Sequence, residues 1–284
     1  MAEINHRYLI DKEGETYFPV THTDAVIGLE DIDFNQTVKS SLENKTIVMF
    51  GDSITELGDY PQKIATRTGA NVIDIGIANS RMAKHTSSAV GQLLDKQSMY
   101  RLVDYIKNND YTELIQATEE MANLNGDNNT QQANDLKNVN WSQVDYITIF
   151  LGTNDYGGDN VIGTNNDTNG NTFKGAINKV IKTLSESVPT ARLVFLTPIF
   201  RNRYKANIGA DSDVTKNDIG YYLKDYNNAI IELATKNHIP VIDLMMLSGI
   251  NKYNCQTYLS DNLHPTDIGY DLLSKVIQRQ LESI

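Results

Sequence analysis

From residue 44 to residue 284, short apolar runs alternate with longer amphipathic stretches. Ile47–Phe50, Val72–Ile75, Tyr146–Leu151, Leu193–Leu196 and Val241–Leu244 have strand length and are rich in β-branched and aromatic residues. Between them, apolar residues recur at helical spacing around Pro61–Thr68, Gly91–Lys107, Thr112–Ala122, Phe173–Ser187 and Tyr222–Asn237. They recur again at Ile268, Leu272, Leu273, Val276, Ile277 and Leu281. Strands alternating with helices predict a parallel sheet covered on both faces, with ligands bound at the carboxyl ends of the strands. The expectation is an α/β fold: a three-layer α/β/α sandwich around a mainly parallel five-stranded sheet. Two stretches interrupt the pattern. Asn123–Asn140 is rich in Asn, Gln and Asp, and Gly157–Thr172 in Gly, Asn and Thr, so both are expected as solvent-facing loops or short irregular structure. The second follows a strand end directly and is expected to wall a cleft.

Residues 1–43 follow another rule. Tyr8–Ile10 and Thr16–Phe18, separated by Asp11-Lys12-Glu13-Gly14-Glu15, predict a hairpin. The chain then runs on without helical periodicity. A hairpin is marginal in water unless it packs on something. The expected organisation is therefore a small β-rich arm over 1–43, serving attachment or oligomerisation, and one large domain over 44–284.

Composition narrows the classes. The 284 residues carry a formal net charge of −11, which argues against a nucleic-acid partner and against an anionic membrane, since both need a basic footprint. Cys255 is the single cysteine, so no intramolecular disulfide forms, and its simplest reading is a small core residue. No run approaches the roughly 18 apolar residues of a membrane span. The start lacks the apolar core of a signal peptide, so synthesis and initial retention in the cytoplasm are expected.

The candidate chemistry lies at strand ends. Ser53, in Gly51-Asp52-Ser53-Ile54, follows the run Thr46–Phe50, and a serine in a small turn after a strand can be an activated nucleophile if a base, an orienting acid and oxyanion donors are near. Among the five histidines, His264 has a carboxylate three residues earlier, in Asp261-Asn262-Leu263-His264-Pro265, with a helical pattern directly behind it. Pro265 holds His264 off the helix, on a loop. Taken alone, that pair reads more readily as an N-terminal cap of the last helix than as a base with its orienting acid. Gly152-Thr153-Asn154-Asp155 follows the run Val144–Phe150, and Asn154 could offer a neutral amide donor to an oxyanion. It also reads as a plain turn. Arg81, Lys84 and His85 read most simply as a solvated helix face, the alternative being contact with an anionic substrate. No metal-ligand spacing or phosphate-binding glycine loop stands out, and no metal or cofactor is expected.

Gly51-Asp52-Ser53, Gly152-Thr153-Asn154-Asp155 and Asp261-x-x-His264, in that order and at those strand ends, resemble the blocks of the SGNH (GDSL-type) hydrolases from about residue 44 onward. The resemblance implies the flavodoxin-like SGNH fold, Ser53 as nucleophile and backbone oxyanion donor, Asn154 as side-chain oxyanion donor, His264 as general base and Asp261 as its partner. The family's second block has a glycine whose N–H also faces the oxyanion. The matching stretch here is Asp74-Ile75-Gly76-Ile77-Ala78-Asn79-Ser80-Arg81, with Asn79 at the glycine's position. Asparagine tolerates left-handed backbone, so Asn79 can supply the same N–H.

A second resemblance covers Tyr17-Phe18-Pro19-Val20-Thr21-His22-Thr23-Asp24-Ala25-Val26, which is similar to amino-terminal segments of tail or baseplate proteins of phages of Gram-positive hosts. It implies a virion-associated enzyme, with a homo-oligomer or virion proteins as partners through residues 1–43. The expected activity is hydrolysis of short acyl esters, such as O-acetyl groups on an acetylated surface glycan, falling as His264 becomes protonated. Two rivals stay open: a non-catalytic phage structural or receptor-binding module on the same fold, and a lipase or thioesterase for longer chains.

Overall fold

The computed structural model describes residues 9–10, 12–13, 16–17, 39–85 and 88–284. The chain divides into two compact units, Met1–Lys39 and Ser40–Ile284. In the first, β1 (Leu9–Ile10) and β2 (Thr16–Tyr17) pair antiparallel with Leu9 opposite Tyr17. Residues 18–26, which carry nearly all of the phage-like segment, lie outside the described residues.

In the second unit, chain order is β3 (Thr46–Gly51), α1 (Ser53–Glu56), α2 (Tyr60–Thr68), β4 (Asn71–Gly76), α3 (Ala89–Lys96), α4 (Met99–Asn108), α5 (Thr112–Asn125), α6 (Thr130–Lys137) and β5 (Tyr146–Phe150). Then come α7 (Thr153–Gly157), α8 (Phe173–Ser187), β6 (Arg192–Leu196), a small hairpin of β7 (Arg203–Tyr204) and β8 (Asn207–Ile208), α9 (Leu223–Lys236), β9 (Val241–Ile242), α10 (Leu244–Leu247), α11 (Cys255–Tyr258) and α12 (Asp267–Ser283).

The five-stranded sheet runs β4-β3-β5-β6-β9, and every pair is parallel. Successive strand residues point to opposite faces. Ile47 and Met49 of β3, with Val194 and Leu196 of β6, pack toward α2 and α12 through Ile64, Leu273 and Ile277. Val48 and Phe50, with Ile147 and Ile149 of β5, pack toward α4, α5, α8 and α9 through Leu102, Leu114, Ile177 and Ile230. Two apolar layers around one sheet make the α/β/α sandwich. From β3 the chain turns first to β4 on one side and later to β5 on the other. The carboxyl ends of β3 and β5 therefore flank the point where strand order reverses, where open α/β sheets bind ligands.

Three expectations need correction. The pattern over Gly91–Lys107 is two helices, because the first amides of α4 are used elsewhere: Met99 N–H donates to Arg81 O at 2.8 Å and Tyr100 N–H to Met82 O at 3.2 Å. Gln97 at the break is fully buried and accepts from Asn129 through its side chain at 2.9 Å. Within Asn123–Asn140, expected as irregular, residues Thr130–Lys137 form α6, which buries Ala133 and Leu136 in the core. Arg81 is not on a solvated helix face; it lies buried in the loop after β4. Cys255 is buried with a free thiol.

Candidate active site

Strand β3 ends at Gly51, and Asp52 caps α1 by accepting the Ile54 N–H at 2.9 Å. Ser53 is thus the first residue of a helix that starts at the strand's end. Its Oγ lies 2.9 Å from His264 Nε2. His264 comes from the other end of the unit, 211 residues away, on a loop closed by Ser260 N–H to His264 O at 2.8 Å and by a bridge between Leu259 and Pro265.

The structure separates the two readings of Asp261. The last helix is capped by Thr266, whose Oγ1 accepts from Gly269 N–H at 3.2 Å, so Asp261 is no cap. Its Oδ1 accepts the backbone N–H of His264 at 2.8 Å and of Leu263 at 3.1 Å, while Oδ2 faces His264 Nδ1 at 3.0 Å and Arg203 Nη1 at 3.0 Å. Burial pushes this carboxyl up, but the His264 and Leu263 hydrogen bonds outweigh it, and Asp261 sits below the usual carboxylate range. A charged Asp261 facing Nδ1 selects the tautomer with hydrogen on Nδ1, which leaves Nε2 free to accept from the serine.

At the end of β5, Gly152 turns the chain at φ +125°, a conformation that favours glycine. Asn154 follows on α7, and its Nδ2 donates to Ser80 O at 3.1 Å. One amide hydrogen is thereby anchored, and the second is free to meet an oxyanion. Asn79 lies in a turn closed by Ser80 N–H to Ile77 O at 3.0 Å and has φ +60°. This is the third position of a four-residue turn, where a type II geometry takes glycine or asparagine. The backbone N–H groups of Ser53 and Asn79 have no acceptor among the described residues.

Asp155 ties these pieces together. It is fully buried and accepts Met82 N–H on Oδ2 and Ala83 N–H on Oδ1, each at 2.9 Å, which joins the turn after β5 to the loop carrying Asn79. Burial raises its pKa to about 6 despite both bonds. His85 lies within hydrogen-bond distance of the Asn79 carbonyl, 3.1 Å from Nε2, and burial, then nearby Arg81, push its pKa down to about 4.

Ser53, Asn79, Asn154 and His264 open on one cleft of about 340 Å³. The opposite walls are Gly157 and Gly158 and the basic side chains of Arg81, His85, Arg201, Arg203 and Lys205; Leu263 is the apolar side chain of the lining. Arg201, Arg203 and Lys205 come from the segment running into β7 and the turn after it, which carries no strand or helix periodicity and gave no signal in the sequence. Among the described residues, no three His, Cys, Asp or Glu side chains converge as metal ligands.

A parallel sandwich with Ser, His and Asp in hydrogen-bonded series at its strand ends has the architecture and side-chain order of an α/β serine hydrolase. The GDSL-like lipase/acylhydrolase family model matches residues 49–272, and the chain belongs to that family of ester hydrolases. One solved structure, 25% identical, aligns over 86% of this chain and 99% of its own with a TM-score of 0.65. A Lactobacillus plantarum protein, 21% identical, aligns over 85% and 98% with a TM-score of 0.61. A GDSL-like lipase from Bacteroides thetaiotaomicron, 15% identical, covers 84% and 88% with a TM-score of 0.51. The last two are alike in fold. No curated protein matches the chain.

Proposed function

We propose that this protein is a serine esterase for short acyl esters, with Ser53 as nucleophile, His264 as general base, Asp261 as its orienting acid, and Ser53 N–H, Asn79 N–H and the Asn154 amide as oxyanion donors. The observation that carries the reading is the unbroken series from Ser53 Oγ to His264 Nε2 at 2.9 Å and from His264 Nδ1 to Asp261 Oδ2 at 3.0 Å. His264 takes the proton as Ser53 Oγ attacks the ester carbonyl, and the carbonyl π electrons move onto oxygen. Collapse expels the alcohol, which leaves with the proton from His264. Water then attacks the acyl-serine by the same route and releases the acid.

The substrate proposed is an O-acetyl or similarly short ester on a hydrated molecule such as a surface carbohydrate. The cleft supports this: its lining is polar and basic apart from Leu263, and a long acyl chain would bury little apolar surface there. The test is nitrophenol release from a series of nitrophenyl esters by wild type and Ser53→Ala. Wild-type turnover of the acetate, lost in Ser53→Ala, is expected. Equal background rates for both would sink the enzyme, and a rate rising with acyl length would replace short esters by lipids or thioesters.

A further inference from the structure

The cleft is basic in a chain whose formal net charge is −11, and its cations are not equivalent. Arg203 pairs with Asp261 at 3.0 Å, and Lys205 with Asp159 and Asp218 at 2.5 Å each. Arg81 and Arg201 make no ion pair among the described residues, although they are only 9% and 4% exposed. Arg81 Nη1 donates to two neutral oxygens, Gly158 O at 3.3 Å and Asn160 Oδ1 at 3.0 Å, and its Nε is buried without a partner. Arg201 donates through Nε to Arg203 O at 2.5 Å and through Nη1 to Thr153 O and Oγ1 at 3.0 and 3.1 Å, again neutral acceptors. The nearby carboxylates make their hydrogen bonds elsewhere: around Arg81, Asp155 with the Met82 and Ala83 amides and Asp159 with Tyr204 and Lys205; around Arg201, Asp52 with the Ile54 amide and Asp261 with His264 and Arg203.

Two adjacent glycines set these guanidiniums at the cleft wall. A Cβ on Gly158 would fall 1.9 Å from Arg81 Nη2, and one on Gly157 would sit 3.5 Å from Arg201 Nη1. A buried guanidinium among neutral acceptors is costly until an anion joins it, and its planar fork matches a carboxylate or phosphate. Both side chains face the cleft that holds Ser53.

We propose that Arg81 and Arg201 form a subsite for a compact oxyanion, a carboxylate or a phosphate, carried by the substrate beside the ester that Ser53 attacks. The proposal rests on the esterase reading and narrows it to O-acylated acidic sugars or polyol phosphates. A formal net charge of −11 disfavours anions at large, whereas this cleft gathers Arg81, Arg201, Arg203 and Lys205 on its lining.

Two substrate pairs test it by kcat/KM: O-acetylated glucuronic acid against O-acetylated glucose, and acetylglycerol phosphate against acetylglycerol. The charged member of at least one pair is expected to be preferred by about 10-fold to 100-fold, the range of a charge-assisted hydrogen bond or two, and the preferred pair tells carboxylate from phosphate. Arg81→Gln and Arg201→Gln should erase most of that preference, and the corresponding lysine variants should keep part of it. If the glutamine variants do not fold, the wild-type ratios decide alone. Turnover with equal kcat/KM in both pairs overturns the subsite and leaves the esterase standing. Titration calorimetry of Ser53→Ala with inorganic phosphate and with glucuronate separates the remaining cases: binding without any turnover in wild type upholds the subsite against the esterase, and neither binding nor turnover overturns both.

Discussion

Asp261→Asn separates catalysis from stability because the four donors around this carboxylate divide by oxygen. Two backbone amides, of His264 and Leu263, meet Oδ1 at 2.8 and 3.1 Å, and they will hold the asparagine oxygen in the same place. The new amide group must then occupy the Oδ2 position, where it faces His264 Nδ1 and Arg203 Nη1 as a donor rather than an acceptor. His264 can satisfy it only by moving its hydrogen to Nε2, the atom that has to accept from Ser53. The wrong tautomer costs about 10⁴-fold in kcat in triads of this kind, roughly 5.5 kcal/mol of barrier. The fold loses far less. The Arg203–Asp261 pair is about a third exposed on each side, where ion pairs contribute roughly 0–1 kcal/mol. The expected signature is a fall of about 10⁴ in kcat for nitrophenyl acetate with KM nearly unchanged and a urea midpoint close to wild type. A loss below about tenfold in a folded variant would refute the assignment of Asp261 as the group that orients His264.

Three further outcomes follow from the same contacts. Asp155→Ala strands the Met82 and Ala83 amides and should lower unfolding free energy by at least about 2 kcal/mol in urea titration, while the loosened Asn79 loop lowers kcat by about 10²-fold to 10³-fold, the loss of one oxyanion donor. Burial lifts the Asp52 carboxyl to about 7, so the folded protein keeps a proton that the unfolded chain releases near 3.9. The folded state then binds more protons between those values, so this group's contribution falls as pH rises toward about 7 and is lost above it; urea midpoints of Asp52→Asn should gain on wild type between pH 5 and about pH 7 and level off beyond. Leu136→Ala, deleting a fully buried side chain of α6, should cost about 2–5 kcal/mol in the same assay if α6 is part of the core.

The sheet was legible because its central strands β3, β5 and β6 are buried on both faces and read as apolar runs. Two expected strands ran long: Leu151 lies one residue past β5, and Leu244 opens α10 rather than ending β9. The break between α3 and α4 was not legible: the apolar period continues through it, and what ends α3 is a pair of distant carbonyls, those of Arg81 and Met82. Polar composition hid α6, whose core contacts come down to Ala133 and Leu136. Within the site, the local sequence offered Ser53, Asn154, Asp261 and His264 as candidates, but Asn154 also read as a turn and Asp261 as a cap until the three blocks were taken together. Asn79 could be placed only by resemblance, and the structure gives it the left-handed backbone its position requires. Arg201, Arg203 and Lys205 have no local signature, because their position depends on a short hairpin that folds back over the strand ends. Arg81 was misread because a lone charged cluster carries no sign of burial.

The distance in sequence between Ser53 and His264 has a temporal consequence. The two side chains are 211 residues apart, so their contact exists only where both ends of the unit are packed together. The packing of α12 on α2 closes that long loop, at an entropic cost that grows only slowly with its length. If His264 is the base of Ser53, ester turnover during refolding should appear no earlier than the packed fold, and turnover that precedes it would refute the pairing.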